Sequence, residues 1–395
     1  MRRRFVRLLP VATVLGALIA VAAPAKPAEA VTLPIPVPGG YVVTVLNRVS
    51  AGVTHVTLAS SLPSRLINVV VMQAGASERL RVAVSNERIA SGTETVRSMC
   101  SRMRCLAATN GDFYAIATGQ PSGGMASRDT MLRSSSPTRY NLTQAADGTT
   151  AIQQVTTTTR FFATYPDHTE PFFVAGFNVG RPDNQAVLYT DRWASTTQTG
   201  SGFEIVLEPL VPGTKPVIGD RLRVRMVQGF AAGSAPILPG RLVLSASGTY
   251  AGLLSNLWSD VLAGAASAEG ELTVTTSPDV QTFTGGNPPL LLDGARAFQD
   301  NGSTLFAGHA ARTMAGRTAD GSTMLVTVDA SAGHIGMTMV QAMDLMRSLG
   351  AVDALNMDGG GSSTFFLRRW VANLPSGGGE RSVATAVTIV ANRWS

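Results

Sequence analysis

The chain has 395 residues, 45% of them hydrophobic, with 32 Lys and Arg against 26 Asp and Glu. Five of those bases (Arg2, Arg3, Arg4, Arg7 and Lys26) and one acid (Glu29) fall in the first thirty residues, leaving 27 bases and 25 acids beyond them. So small an excess, with no Lys/Arg run, excludes a nucleic-acid footprint.

Residues 1–30 read as a secretory signal peptide. A basic start is followed by an apolar stretch over 8–23 and a small-x-small site at Ala28-Glu29-Ala30. No later stretch is long and apolar enough to span a membrane, so no stable span is expected once the signal is removed. Residues 31–110 then alternate in strand fashion, as in Tyr41-Val42-Val43-Thr44-Val45 and Ile67-Asn68-Val69-Val70-Val71. A helix follows, capped by Thr93. It carries Cys100 and Cys105, for which export favours a disulfide over half a zinc site. Next comes a short buried strand ending at Asn110-Gly111-Asp112-Phe113-Tyr114. That segment reads either as functional groups at a strand end or as a type I′ turn led by Asn-Gly.

Residues 140–285 are rich in Thr, Val and Gly, with short strands and frequent turns, and read as an inserted antiparallel β subdomain. From 286 the texture returns to α/β. Asp293-Gly294 is a hairpin turn, and 324–329 is a buried strand. Thr338 and Gln341 form a capping box, and a helix runs to Gly350. The next strand places Ala354, Asn356 and Asp358 on one face and Leu355 and Met357 on the other. The expected class is α+β: a mixed α/β core built from 31–139 and 286–395, with the β-rich insertion between.

Chemistry concentrates after that last strand. Asp358 precedes Gly359, Gly360 and Gly361, then Ser362, Ser363 and Thr364. Three glycines sacrifice packing and backbone entropy, as a chain does where something approaches the backbone closely. Free N–H groups of such a turn make an anion-binding concavity, to which the hydroxyls add donors. No Lys follows, so it is no Walker loop, and no nucleophile elbow is present. Arg312 and Arg317, five apart beside a strand, suit phosphate or carboxylate recognition. Glu380, after another glycine run, is a reserve carboxylate.

Taken in order, Asn110-Gly111-Asp112-Phe113-Tyr114, Gly286-Asn287-Pro288-Pro289-Leu290, Arg312-Thr313-Met314-Ala315-Gly316, Gly336-Met337-Thr338, the Asn356–Ser363 segment and Glu380-Arg381-Ser382-Val383 resemble the phosphodiester glycosidase family, that of the lysosomal uncovering enzyme. Asp112 and Met314 depart from the family's usual residues without removing a candidate group. The resemblance implies an exported hydrolase that cleaves a sugar-1-phosphodiester between the anomeric carbon and oxygen, in an envelope or extracellular phosphoglycan. Within it, Asp358 would be the catalytic carboxylate, with Glu380 in reserve, and Arg312 and Arg317 would hold phosphate. Asn110 and Asn356 would orient water or sugar hydroxyls, and Asp112 and the 359–363 loop would line the substrate. No cofactor is required by the sequence; a Ca²⁺ or Mg²⁺ ion would find oxygen ligands in Asp112, Asn356 and Asp358. Two other readings stay open: a metal-dependent phosphodiesterase cutting P–O, and a non-catalytic envelope glycan-binding protein.

Overall fold

The computed structural model describes residues 31–90, 92–298 and 307–392. The expected signal peptide at 1–30 lies outside them. An antiparallel eight-stranded sheet begins with Val42–Ser50, Val53–Ser61 and Ser64–Met72, joined as consecutive hairpins. It continues with Thr323–Val328, Arg312–Thr318, Ala351–Asn356, Pro289–Leu292 and Ala295–Arg296. Ser64–Met72 pairs with Thr323–Val328, Val69 opposite Val326, so strands from both ends of the chain complete one sheet.

Alternation decides what each face buries. Val69, Val71, Val326 and Ala354 face the helix Met339–Ser348, whose Met339, Met343 and Met346 pack on them. Val70, Leu325, Leu355 and Met357 face the other way, against Phe365, Val387 and Ile389 of a five-stranded sheet. That second sheet has the order Trp370–Val371, Phe365–Leu367, Ala107–Asn110, Thr385–Val390 and Arg79–Val84. Its outer face carries the helix Val96–Met103 through Val96, Met99 and Cys100. The core is therefore a helix–sheet–sheet–helix stack, and residues from Leu33 onward form one compact unit.

The middle of the chain builds two more sheets. One holds Met125–Ser127, Thr130–Arg133, Tyr140–Gln144, Thr150–Gln154 and Thr282–Gly285. The other has eight strands between residues 156 and 277 and curls into a near-barrel, with its own core around Phe161, Phe177, Ile205 and Leu244. The molecule is mostly β-sheet, 44% strand against 12% helix, so α+β describes it only loosely.

The helices that exist are short. Val96–Met103 is capped by Thr95, whose hydroxyl accepts from the Ser98 N–H at 3.2 Å, and not by Thr93. Glu94 is still extended there, bridged to Val383. Met339–Ser348 has the expected Thr338–Gln341 capping box, and Gly350 follows at φ 90°. The longest helix, Gly248–Ala263, lies in the segment read as all strand. Leu253 and Leu262 are exposed while Leu254 and Leu257 are buried, so its apolar residues do not form one stripe. Cys100 and Cys105 are joined by a disulfide that closes the turn ending Val96–Met103. No helix among the described residues is long and apolar enough to cross a membrane.

Candidate active site at the Asp358 loop

The strand Ala351–Asn356 sets Asn356 opposite Met314, and the Met357 N–H still donates to the Thr313 carbonyl at 2.9 Å. Then the chain leaves this sheet for the other. The Asp358 N–H donates to Gly111 O, just past the Ala107–Asn110 strand, at 3.0 Å. The loop thus spans the open end of both sheets. Gly360 has φ +57°, a left-handed conformation that costs glycine least. A β-carbon on Gly361 would lie 3.2 Å from the Arg381 guanidinium carbon, so this glycine lets the cation rest on the loop.

The backbone does not form the expected open concavity. The N–H of Gly359 donates to Asp358 Oδ1, Gly360 to Ala311 O, Ser362 to Gly359 O, Ser363 to Gly360 O and Thr364 to Asn110 Oδ1. These donors are consumed in folding the loop, and what it presents outward is the Asp358 carboxylate. Asn110 is the brace. Its amide nitrogen donates to Asp358 O at 2.6 Å, and its oxygen accepts from the Thr313 hydroxyl at 2.8 Å as well as from Thr364. Thr313 Oγ1 in turn accepts from the Ser363 hydroxyl, while Asn373 ties Ser363 O to the Asp329 carboxylate. Asn110 is fully buried with its amide so engaged, so it positions the loop and is not a reacting group. Nor is Asn110-Gly111 a type I′ turn, since neither residue has positive φ.

Two carboxylates face one another electrostatically. Burial pushes Asp358 above the usual carboxylate range, and the charge of Asp112 reinforces the shift. The Ser362 hydroxyl, the Gly359 N–H and the Arg381 guanidinium pull it back. Ser362 Oγ is close enough to exert that pull yet short of hydrogen-bond geometry. Asp112 is buried and also raised, with Arg139 at 2.5 Å opposing the effect of burial. Its second oxygen lies in a slot between Gly123 and Gly285, where β-carbons would come within 2.1 and 2.7 Å.

Asp112 Oδ2, Asn356 Oδ1 and Ser362 Oγ are buried and have no hydrogen-bond partner within the protein. Buried polar groups without partners are rare; Asn356 and Ser362 bracket Asp358 in the sequence and the charge of Asp112 reaches it, so these are the groups a polar ligand at Asp358 would satisfy. Asn356 is held by donating its amide N–H to Asn287 O at 2.8 Å. A hard cation fits this donor set poorly. Asp112 is ion-paired with Arg139, Asp358 lies within reach of Arg381, and a Ca²⁺ ion asks for six or more oxygens.

The other expected residues separate. Arg312 is buried, donates from Nε to Met337 O and from Nη2 to Gly308 O, and has no carboxylate partner among the described residues. Its backbone passes beside the loop, where the Gly360 N–H donates to Ala311 O and a β-carbon on Gly359 would lie 3.9 Å from Arg312 Cα, but its guanidinium is turned to Met337 O and Gly308 O. Arg317 is not beside it. Five residues along one strand is roughly 17 Å and the opposite face, and Arg317 there meets Asp353 at 3.4 Å. Glu380 accepts from the Arg97 N–H at 2.7 Å, in the first turn of Val96–Met103, and pairs with the Arg97 side chain. Its neighbour Arg381 is the member of that pair that reaches the loop. Glu380-Arg381 was visible in the sequence, but the glycine run drew attention to the acid. Arg139 gave no sequence signal, because it comes from a turn in a separate sheet.

The fold has solved relatives. A hypothetical protein from Synechocystis matches at 19% identity with a TM-score of 0.64, over 86% of this chain and 62% of its own. This chain therefore spans less than two thirds of that relative. A Burkholderia pseudomallei K96243 protein, described as exported, matches at 19% identity with a TM-score of 0.60, over 83% of this chain and 74% of its own. The catalytic domain of zebrafish N-acetylglucosamine-1-phosphodiester alpha-N-acetylglucosaminidase aligns at 14% identity with a TM-score of 0.44, over 90% of this chain and 88% of its own. A search of curated proteins finds no match. The model of the phosphodiester glycosidase family matches residues 233–390, a stretch that holds Arg312, the Asp358 loop and Arg381.

Proposed function

We propose that the protein is an exported hydrolase that cleaves sugar-1-phosphodiesters at the bond between C1 and oxygen, in a phosphoglycan of the envelope or its surroundings. One observation carries the reading: a half-buried carboxylate, Asp358, under the charge of Arg381 and Asp112, with unpartnered polar atoms on Asp112, Asn356 and Ser362. Water attacks C1 while the C1–O bond breaks, and the electron pair leaves with the phosphate monoester. Asp358 takes the proton of the attacking water. The leaving group is weakly basic, so the reaction needs little general-acid help. It needs fixed positive charge on the departing phosphate, which Arg381 supplies at the loop. Asn356 Oδ1 and Ser362 Oγ, which no group among the described residues satisfies, would hydrogen-bond to sugar hydroxyls or to the attacking water.

The test is Asp358→Asn against a panel of sugar-1-phosphodiesters, with phosphomonoester release as readout. Turnover should fall at least about a hundredfold, as for losing a positioned base, while circular dichroism stays that of the parent. A folded variant with parental turnover would overturn the assignment.

A further inference from the structure

Away from the Asp358 loop, a groove follows the edge strand Arg79–Val84. This strand pairs with Thr385–Val390, Val84 opposite Thr385 and Arg79 opposite Val390. Thr385 is at the active-site end, where its carbonyl accepts from the Gly111 N–H. Val390 is at the far end, roughly 17 Å along the strand. There, a cleft of about 480 Å³ is lined by Arg81, Arg104 and Arg128 and contains no acid among its lining residues. Met103 and Ser127 line both this cleft and a second one nearer Val84, which holds Arg102, Arg192 and Lys215 with Glu87. Glu87 pairs with Arg102 and Arg192, whereas Lys215, Arg104 and Arg128 form no ion pair among the described residues. The charge of Asp129 acts on both Arg81 and Arg128, and it forms no ion pair with either among the described residues.

Backbone strain supports a purpose. Arg104 ends the helix Val96–Met103 at φ 53°, and Arg128 opens the Met125–Ser127 to Thr130–Arg133 hairpin turn at φ 51°. Glycine or asparagine takes these conformations at the lowest cost. One arginine in such a place is unremarkable. Two of them, from separate elements, meet in the same cleft, and the Cys100–Cys105 disulfide pins the turn that carries Arg104. Arg81 stands between them on the edge strand, its guanidinium pKa lowered by burial and then by the charges of Arg128 and Arg79. Asp129 offsets part of this crowding, but no carboxylate forms an ion pair with Arg81, Arg104 or Arg128 among the described residues.

We propose that this groove is a secondary binding site for a phosphate-bearing polymer, gripping repeats beyond the one at the active site. The identity of the polymer rests on the glycosidase reading; the binding does not, because it is measured without turnover. A row of guanidinium forks without ion pairs suits successive phosphates of one chain, and Val84, which lines the second cleft, pairs with Thr385, the residue that binds Gly111 beside the catalytic loop.

The test uses the full protein and the double variant Arg104→Gly/Arg128→Gly, titrated at low salt with short-chain inorganic polyphosphate and with orthophosphate at equal phosphorus. Glycine suits both backbones, so the variant should keep or raise the parental thermal midpoint. Polyphosphate affinity should fall at least about tenfold, as for losing charge-assisted hydrogen bonds to two guanidinium groups. Orthophosphate should bind the parent far more weakly, and turnover of a small sugar-1-phosphodiester should not change. Parental polyphosphate affinity in the variant would overturn the proposal. So would equal binding of duplex DNA or anionic vesicles by the parent, which would make the groove a general anion patch. A parent that binds polyphosphate but hydrolyses nothing would count against the glycosidase reading alone.

Discussion

Arg381 rests on Gly361 and lowers the pKa of Asp358, while Asp112 and burial raise it. The signs give a pH experiment. Activity that needs ionised Asp358 falls as the carboxylate protonates, so the acid limb of the profile sits above the usual carboxylate range of about 3.9. Arg381→Gln removes a charge that favours the anion, so the limb should move to higher pH as turnover drops. An unmoved limb would place Arg381 outside the reacting centre. Stability should show the converse. A folded-state pKa above the unfolded one means the contribution is fully present below the unfolded pKa and is lost as pH rises through the folded value. At neutral pH the buried anion costs stability, so Asp358→Asn should raise the thermal midpoint, on the order of 1 kcal/mol. A lower midpoint in a folded variant would contradict this sign.

The elements around the loop hold it by side chains that the sequence does not advertise. Asn110→Ala would leave Asp358 O and the Thr364 N–H without this partner and Thr313 with Ser363 alone. Losing several buried hydrogen bonds should cost about 2–4 kcal/mol, read as a lower denaturant midpoint with loss of turnover. Here the limits of legibility are physical. The strand ending at Asn356, the side-chain faces of Ala354 and Leu355, and the Thr338 capping box are local and periodic, so sequence spacing exposes them. The partners of Asp358 are not local. Asp112 and Arg139 approach only because three sheets meet there, and Asn110 looks reactive until its amide is seen to be engaged on both sides. Arg317 failed for a simpler reason: an odd spacing on a strand sends two arginines to opposite faces.

For the whole molecule, the chain's two ends are interdependent. Thr323–Val328 is an inner strand of a sheet whose next neighbour is Ser64–Met72, and Thr385–Val390 lies between Ala107–Asn110 and Arg79–Val84. A fragment beginning at residue 286 would expose the unpaired edges of both sheets. It should show no cooperative unfolding transition, and a sharp one would refute this dependence. The near-barrel differs: its helix and strands bury a core that is mostly their own, with Ala126, Met131, Val280 and Phe283 added from outside it. That the molecule is mostly β-sheet was only half legible, because alternating strands are plain in 41–84 but the insertion's long helix hides in mixed apolar spacing.

The central claim is cleavage at C1, by water activated at Asp358. Hydrolysis of a sugar-1-phosphodiester in ¹⁸O-labelled water tests it most directly. The account predicts label in the anomeric hydroxyl of the released sugar and none in the phosphate. Label in the phosphomonoester would contradict it, because water would then have attacked phosphorus.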